Sequence, residues 1–189
     1  MLPMRPTKAD IAAAEGKRLR DVIGPDLNVL FCGINPGLYS AAVGRHFARP
    51  GNRFWAALHA GGFTARVLAP EENGLLLAFG CGLTDIVARA TATAEDLSAA
   101  ELVAGRARLE RKVRKYRPRW VAILGIGAYR TAFGQPRADF GPQPERLGSS
   151  EVWVLPNPSG LNASYQPGDL ARAFGRLRET AIRRIATGS

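Results

Sequence analysis

The sequence predicts an α/β domain with a mostly parallel central sheet. Two observations carry that expectation. Three runs dominated by apolar residues, Val29–Gly33, Trp120–Leu124 and Glu151–Leu155, read as strands and alternate with stretches of helical periodicity. Two of those runs also break abruptly into Asn-Pro turns, Gly33-Ile-Asn-Pro-Gly-Leu38 and Pro156-Asn-Pro-Ser-Gly-Leu161. In a parallel sheet both breaks fall on the same carboxyl edge, where open α/β sheets bind ligands.

In chain order, residues 1–26 are expected to form an N-terminal arm and helix. Thr7 supplies the cap, Ile11, Leu19, Val22 and Ile23 form a partial apolar face, and Gly24-Pro25 ends it. Residues 27–189 are expected to complete a single domain. The first strand spans about Asn28–Gly33. Residues 39–53 read as a long functional loop carrying Arg45, His46, Phe47, Arg49 and Arg53. A helix from Phe54 to about Ala60 closes at Gly61-Gly62, and residues 71–80 resemble another helix. Cys81–Val87 reads as a short element with a turn inside it, and Thr91–Leu97 as a polar connector.

Ser98-Ala-Ala-Glu101 is a capping box that opens a helix to Tyr116, with Leu102, Leu109 and Val113 on its apolar face. After the strand at 120–124, Gly125–Arg130 turns into a helix ending near Phe133. Residues 134–150 read as a Pro/Gly-rich loop, and a basic amphipathic helix from about Asp169 to Ile185 follows the last strand.

The chain of 189 residues has a formal net charge of +10 and a pI near 10.6, which points to a polyanionic partner such as nucleic acid; an arginine-rich solvated surface gives the same count. No apolar run is long enough to span a bilayer and Met1-Leu-Pro-Met-Arg5 lacks a signal-peptide pattern, so the expected location is cytoplasmic. Only two cysteines occur, Cys32 and Cys81, without a CxxC; with two histidines they are too few for a thiolate or histidine-rich metal site. Gly125-Ile-Gly127 lacks a third glycine, since Arg130 stands there, and reads as a tight strand–helix turn.

Asn35 and Asn157 are the candidate pocket residues. An amide donates and accepts together, which suits reading the edge of a nucleobase. Asp85, in Cys81-Gly-Leu-Thr-Asp-Ile-Val87, has two readings. Either its carboxylate faces the pocket, where it can activate water or stabilise an oxocarbenium-like sugar, or Thr84 caps a short helix and Asp85 serves that helix's first turn.

Three motifs in order, Gly33–Leu38, Phe47-Ala-Arg-Pro-Gly-Asn-Arg-Phe-Trp55 and Asn157–Leu161, resemble the mismatch-specific uracil/thymine DNA glycosylases. The resemblance implies a three-layer α/β/α sandwich, no cofactor and no metal. It implies a monomer that acts on mispaired or damaged double-stranded DNA, and a monofunctional, base-flipping hydrolysis that initiates base excision repair. By position, Asn35 orients water and Phe47 stacks on the flipped base. Ile34, Gly37 and Ser40 line the base pocket, and Asn157 flanks the flipped nucleotide. Gly160, Leu161 and Asn162 enter the duplex and meet the mispair, Leu161 as the wedge.

Two departures stand out. Asn35 cannot be a general base, which leaves Asp85 as the candidate catalytic carboxylate where familiar relatives carry Lys or Asn. The stretch Asn162-Ala163-Ser164 is neutral where relatives can carry a basic residue, so the loop arginines and basic helices are expected to supply phosphate contacts. Two other classes are compatible with the sequence: a DNA-damage binder without turnover, and a nucleotide-binding α/β protein without a DNA partner.

Overall fold

The computed structural model describes residues 5–186; the first four residues of the expected arm lie outside that range. Five strands form one sheet in the order β2-β1-β3-β5-β4. They are β1 (Val29–Gly33), β2 (Cys81–Asp85), β3 (Trp120–Leu124), β4 (Gly141–Leu147) and β5 (Ser150–Leu155). All neighbouring pairs are parallel except β4 against β5. The chain leaves β1 toward β2 on one side and β3 lies on the other, so the topological switch falls between β1 and β3.

Alternate side chains of the same strands build two cores. Val29, Phe31, Leu83, Ala122 and Leu155 pack against α3 (Phe54–Ala60), the 3-10 segment Pro70–Phe79 and α6 (Pro167–Ala186). Leu30, Cys32, Val121, Ile123 and Val154 pack against α4 (Ala99–Tyr116) and α5 (Ile126–Phe133). The result is the expected three-layer α/β/α arrangement. Among the described residues no helix is long and apolar enough to cross a membrane.

Four local expectations fail for identifiable reasons. The first helix, α1, covers only Lys8–Ala12, capped by Thr7 in a reciprocal box with Asp10. Gly16, at φ +72°, turns the chain out, and Val22 then bridges antiparallel to Leu83 while Arg18 bridges Arg89. The β-branched pair Val22-Ile23 therefore serves the open edge of β2, which it shields. Residues 39–53 are not all loop: Leu38–Val43 form α2, ended by Gly44 in the left-handed region.

The expected short element at 81–87 is the full strand β2. Its glycine hid it, and that glycine is required: a methyl at Gly82 would meet Val22 O and Leu27 Cδ1 at 2.6 Å. Residues 141–147 form β4 in spite of two prolines. An edge strand with a register shift between Pro142 and Arg146 tolerates them. The 71–80 helix is present, wound as 3-10 over Pro70–Phe79.

A tight approach joins α4 to the exit of β2. A methyl at Gly105 would lie 2.5 Å from the Ile86 carbonyl oxygen. Alanine is the better helix former by about 1 kcal/mol, yet Gly105→Ala is expected to lower stability by about 1–3 kcal/mol through overpacking. Urea unfolding midpoints check this; a rise in midpoint refutes the close contact.

Candidate active site

Four strand ends meet at one cavity of about 330 Å³, lined by the last residues of β1, β2 and β3 and by residues that follow β1, β2 and β5. A larger groove of about 920 Å³ lies between the N-terminal segment and α2. It contains neither motif asparagine, so the chemistry belongs to the smaller cavity.

The floor is Gly33. The β1–β2 register sets Gly33 opposite Asp85, and a side chain at Gly33 would collide with Asp85 Oδ1 and reach within 3.5 Å of Phe47 Cζ. A residue without Cβ thus lets a carboxylate and an aromatic ring share one space. Asp85 is 7% exposed. The helix-cap reading of Thr84-Asp85 fails, because both residues belong to β2 and point to opposite faces. Thr84 faces α4, donating to Asp21 Oδ1 (2.8 Å) and accepting from Lys112 Nζ (2.8 Å). Asp85 lines the cavity.

The exit of β1 is laced to the chain after β2. Ile86 N donates to Gly33 O (2.9 Å), Val87 N to Ile34 O (2.9 Å) and Thr91 N to Pro36 O (3.2 Å). Asn35 adds its side chain: Nδ2 donates to Arg89 O (3.1 Å) and Thr91 Oγ1 (2.6 Å). A backbone carbonyl can only accept, so the amide orientation is fixed. With Nδ2 engaged, Oδ1 is the amide atom left for water, as an acceptor. Thr91 in turn donates to Thr93 O (2.6 Å) and holds the arrangement. Sequence reading passed over Thr91 as part of a polar connector; its role appears only when residues 35 and 91 are brought together.

Phe47 sits at φ +54°, an uncommon conformation for an aromatic residue. Its ring stacks on Phe54 with centroids 4.1 Å apart and lines the cavity. Phe54 is buried and packs edge-on against Phe31, so the platform is anchored in the core. Ser40 is buried and accepts from Ala48 N (3.1 Å), which ties α2 to the Phe47 turn. Ile34 lines the cavity and packs beside Gly125, where a Cβ would come 3.1 Å from Ile34 Cδ1. Gly37 precedes α2 and pairs with Thr91.

The opposite wall is the loop after β5. Asn157 Oδ1 accepts from Ser159 N (2.9 Å), Asn162 Nδ2 donates to Asn157 O (3.0 Å) and Asn162 Oδ1 accepts from Ser164 N (3.2 Å). Asn35 and Asn157 line the same cavity, as the paired motifs implied. Gly160 allows a close crossing, since a methyl there would meet Gly51 O at 2.5 Å. Leu161 projects from this loop 69% exposed.

Arg53 corrects an expectation. It is not a free phosphate ligand, because its guanidinium faces inward and braces the loop. Nη2 donates to Ser159 O (2.6 Å) and Asn162 O (2.8 Å), Nη1 donates to Tyr165 O, and the backbone N–H donates to Pro158 O (3.0 Å). The basic end of α4 also runs toward the amino end of β3, and its Lys112 is turned to Thr84 and Asp21 on the far face of β2 rather than into the cavity. Arg49 at the cavity and Arg45 beside it remain as the nearby loop cations.

Burial dominates the electrostatics. It pushes the Asp85 carboxyl up to about 7, with Asp21 adding to the rise and Lys112 opposing it. His46 is 2% exposed, and burial lowers its pKa. Its Nδ1 lies 3.5 Å from Asp85 Oδ2 and its Nε2 lies 3.1 Å from Arg20 O. The Cys32 thiol is raised well above its ordinary range by burial and is held as an inert core residue. Among the described residues no group of three His, Cys, Asp or Glu side chains comes together.

A carboxylate, an oriented amide, an aromatic ring and an exposed apolar side chain thus converge at the carboxyl edge of the sheet of this α/β protein. Residues 20–178, most of the chain, match the Uracil DNA glycosylase superfamily, and the chain belongs to that superfamily of DNA glycosylases. Membership connects it with excision of uracil from DNA in base excision repair.

The buried carboxyl has a thermodynamic signature. A carboxyl whose folded pKa is raised favours the fold at low pH, and that contribution is lost as pH rises from about 4 through about 7. Asp85→Asn removes the penalty while keeping the shape. It is therefore expected to stabilise the protein at pH 8 by about 2–4 kcal/mol and to leave stability unchanged near pH 4. Thermal unfolding at the two pH values checks this; equal effects at both would mean Asp85 is not held as a buried acid.

Proposed function

We propose that the protein is a monofunctional glycosylase that flips uracil and related damaged bases out of mispaired double-stranded DNA and hydrolyses the N-glycosidic bond. The observation that carries this reading is Leu161, an apolar side chain 69% exposed on a braced loop at the rim of the polar cavity. An exposed leucine on a rigid loop suits insertion into a base stack. The cavity beside it suits the base that the wedge displaces.

In this reading the flipped base lies on the Phe47 ring between Asn35 and Asn157. Ile34, Gly37 and Ser40 border it, and Gly160 and Asn162 carry the wedge turn. Asn35 Oδ1 accepts from the attacking water. Asp85, once ionised, takes the water's proton and faces the positive charge that develops at the sugar C1′. Extrusion is easier at a mispair, which favours G·U over A·U. A carboxylate lessens dependence on a good leaving group, so the substrate range extends beyond uracil. Among the described residues lining the cavity none is a lysine, which supports hydrolysis without a lyase step. Arg45 and Arg49 are placed to meet flanking phosphates.

Single-turnover release of free uracil from G·U, A·U and single-stranded substrates tests the proposal. The expected order is G·U fastest, with an intact abasic strand as product. Asp85→Ala is expected to slow release about 10²–10⁴-fold and Asn35→Ala about 10²–10³-fold. Tight G·U binding without release, or strand cleavage, would sink the reading.

The brace makes a separate expectation. Arg53→Lys keeps the charge but not the planar fork that engages several carbonyls at once. It is expected to weaken G·U duplex binding by at least about tenfold, comparable to about 1.4 kcal/mol, with the Phe47 platform intact. Fluorescence anisotropy on a G·U duplex measures it; unchanged affinity would show that the loop needs no brace.

A further inference from the structure

His46 stands outside every role assigned above, yet it lies against the buried carboxylate of the cavity, Asp85. Its surroundings fix its chemistry. Nε2 lies 3.1 Å from the backbone oxygen of Arg20. A carbonyl oxygen only accepts, so Nε2 carries the hydrogen and a neutral ring has a bare Nδ1. That bare nitrogen faces Asp85 Oδ2 at 3.5 Å. A lone pair facing an ionised carboxylate is repulsive, and both side chains are shut away from water at 2% and 8% exposure. One proton between them removes the conflict.

We infer that His46 is the proton partner of Asp85: the two side chains hold a single proton, and His46 Nδ1 takes it when the carboxylate is needed. The inference rests on the proposed role of Asp85 in hydrolysis. Before reaction the carboxyl is neutral and donates its hydrogen to Nδ1, the arrangement that burial favours for both groups. As the C1′–N1 bond breaks, its electron pair leaves with the base. The O–H bond of Asp85 opens and an N–H bond forms at Nδ1, so a carboxylate faces the positive sugar. Water bonds to C1′ and gives a proton to Asp85. One proton then leaves with the base anion, which restores the starting pair and balances the hydrolysis.

Other groups around the pair leave this exchange in charge. Asp21 and Lys112 pair with each other at 2.7 Å on the far face of β2. Cys32 is buried and neutral. Arg49 and Glu95, of opposite sign, both line the cavity. His59, the other histidine, lies away from the cavity, with Nδ1 2.9 Å from Thr64 O.

The test is the pH profile of single-turnover uracil release from a G·U duplex by wild type, His46→Gln and Asp85→Ala, with duplex affinity measured in parallel. Without a proton partner, Asp85 must lose its proton to solvent. The acid limb of His46→Gln is therefore expected to move up by about one pH unit or more. Its rate should be at least tenfold below wild type at pH 6.5 and near wild type at pH 9, with affinity unchanged. A uniform fall at every pH, or an unmoved limb, overturns the inference. Asp85→Ala at full rate overturns instead the role of Asp85 itself. Should His46→Gln fail to fold, imidazole ¹⁵N shifts of the wild type decide. Expected is an Nε2–H ring whose Nδ1 signal moves in Asp85→Asn; an Nδ1–H ring, or a signal blind to Asp85→Asn, overturns it.

Discussion

The pairing of β1 with β2 sets Gly33 opposite Asp85, and the chemistry of the cavity depends on that register. Side chains alternate across a sheet, so a slip of one residue would exchange the faces of Thr84 and Asp85. Thr84 would then replace the carboxylate in the cavity, and Asp85 would meet Asp21 in the space before α4, where Lys112 now satisfies Thr84 and Asp21. The polar cluster on one face thus guards the register that the other face uses. Hydrogen bonds beyond the strands, from Ile86 to Gly33 and from Val87 to Ile34, carry the same register up to Asn35.

The Phe47 ring and the loop that carries Leu161 share an anchor in adjacent residues. Arg53 grips the loop after β5 through its guanidinium and backbone. Phe54, next in the chain, supports Phe47 and sits in the aromatic core with Phe31 and Phe174. Asn52 accepts from Phe54 N at 2.9 Å and steadies this start of α3. A displacement of Leu161 is therefore referred to the same short stretch that fixes the stacking ring. In the proposed function, preorganisation of this kind lowers the ordering cost of binding a deformed duplex.

Legibility from sequence followed how local the cause was. The strands at 29–33, 120–124 and 151–155 are built on short runs of apolar residues, and α4 carries its own capping box, so each announces itself. β2 and β4 do not, because the reasons for Gly82 and for Pro142 and Pro144 lie in neighbouring segments. α2, at six residues, is too short for a period to show. In the site, paired Asn-Pro turns at strand ends were enough to bring Asn35 and Asn157 together. Thr91, His46 and Arg53 were not legible in their roles: each acts on partners 26 to 112 positions away, and composition gave Arg53 the sign of a phosphate ligand. The fold turned that charge inward.

Net charge carries less information about this site than its value of +10 implies. Ion pairs such as Arg66–Glu72, Arg89–Glu101 and Arg146–Glu151 cancel within that count, and the cavity lining sets Arg49 against the two acids Asp85 and Glu95. The informative charge is the buried carboxyl of Asp85. Asparagine would fill the place of Asp85 without the penalty of ionising in a dry cavity. A group that lowers stability in the pH range where it is ionised, beside a histidine whose hydrogen is fixed by a backbone carbonyl, has the form of an acid–base device. Under the proposed mechanism, that placement lets the cavity generate a carboxylate on demand, which the oriented amide of Asn35 cannot supply.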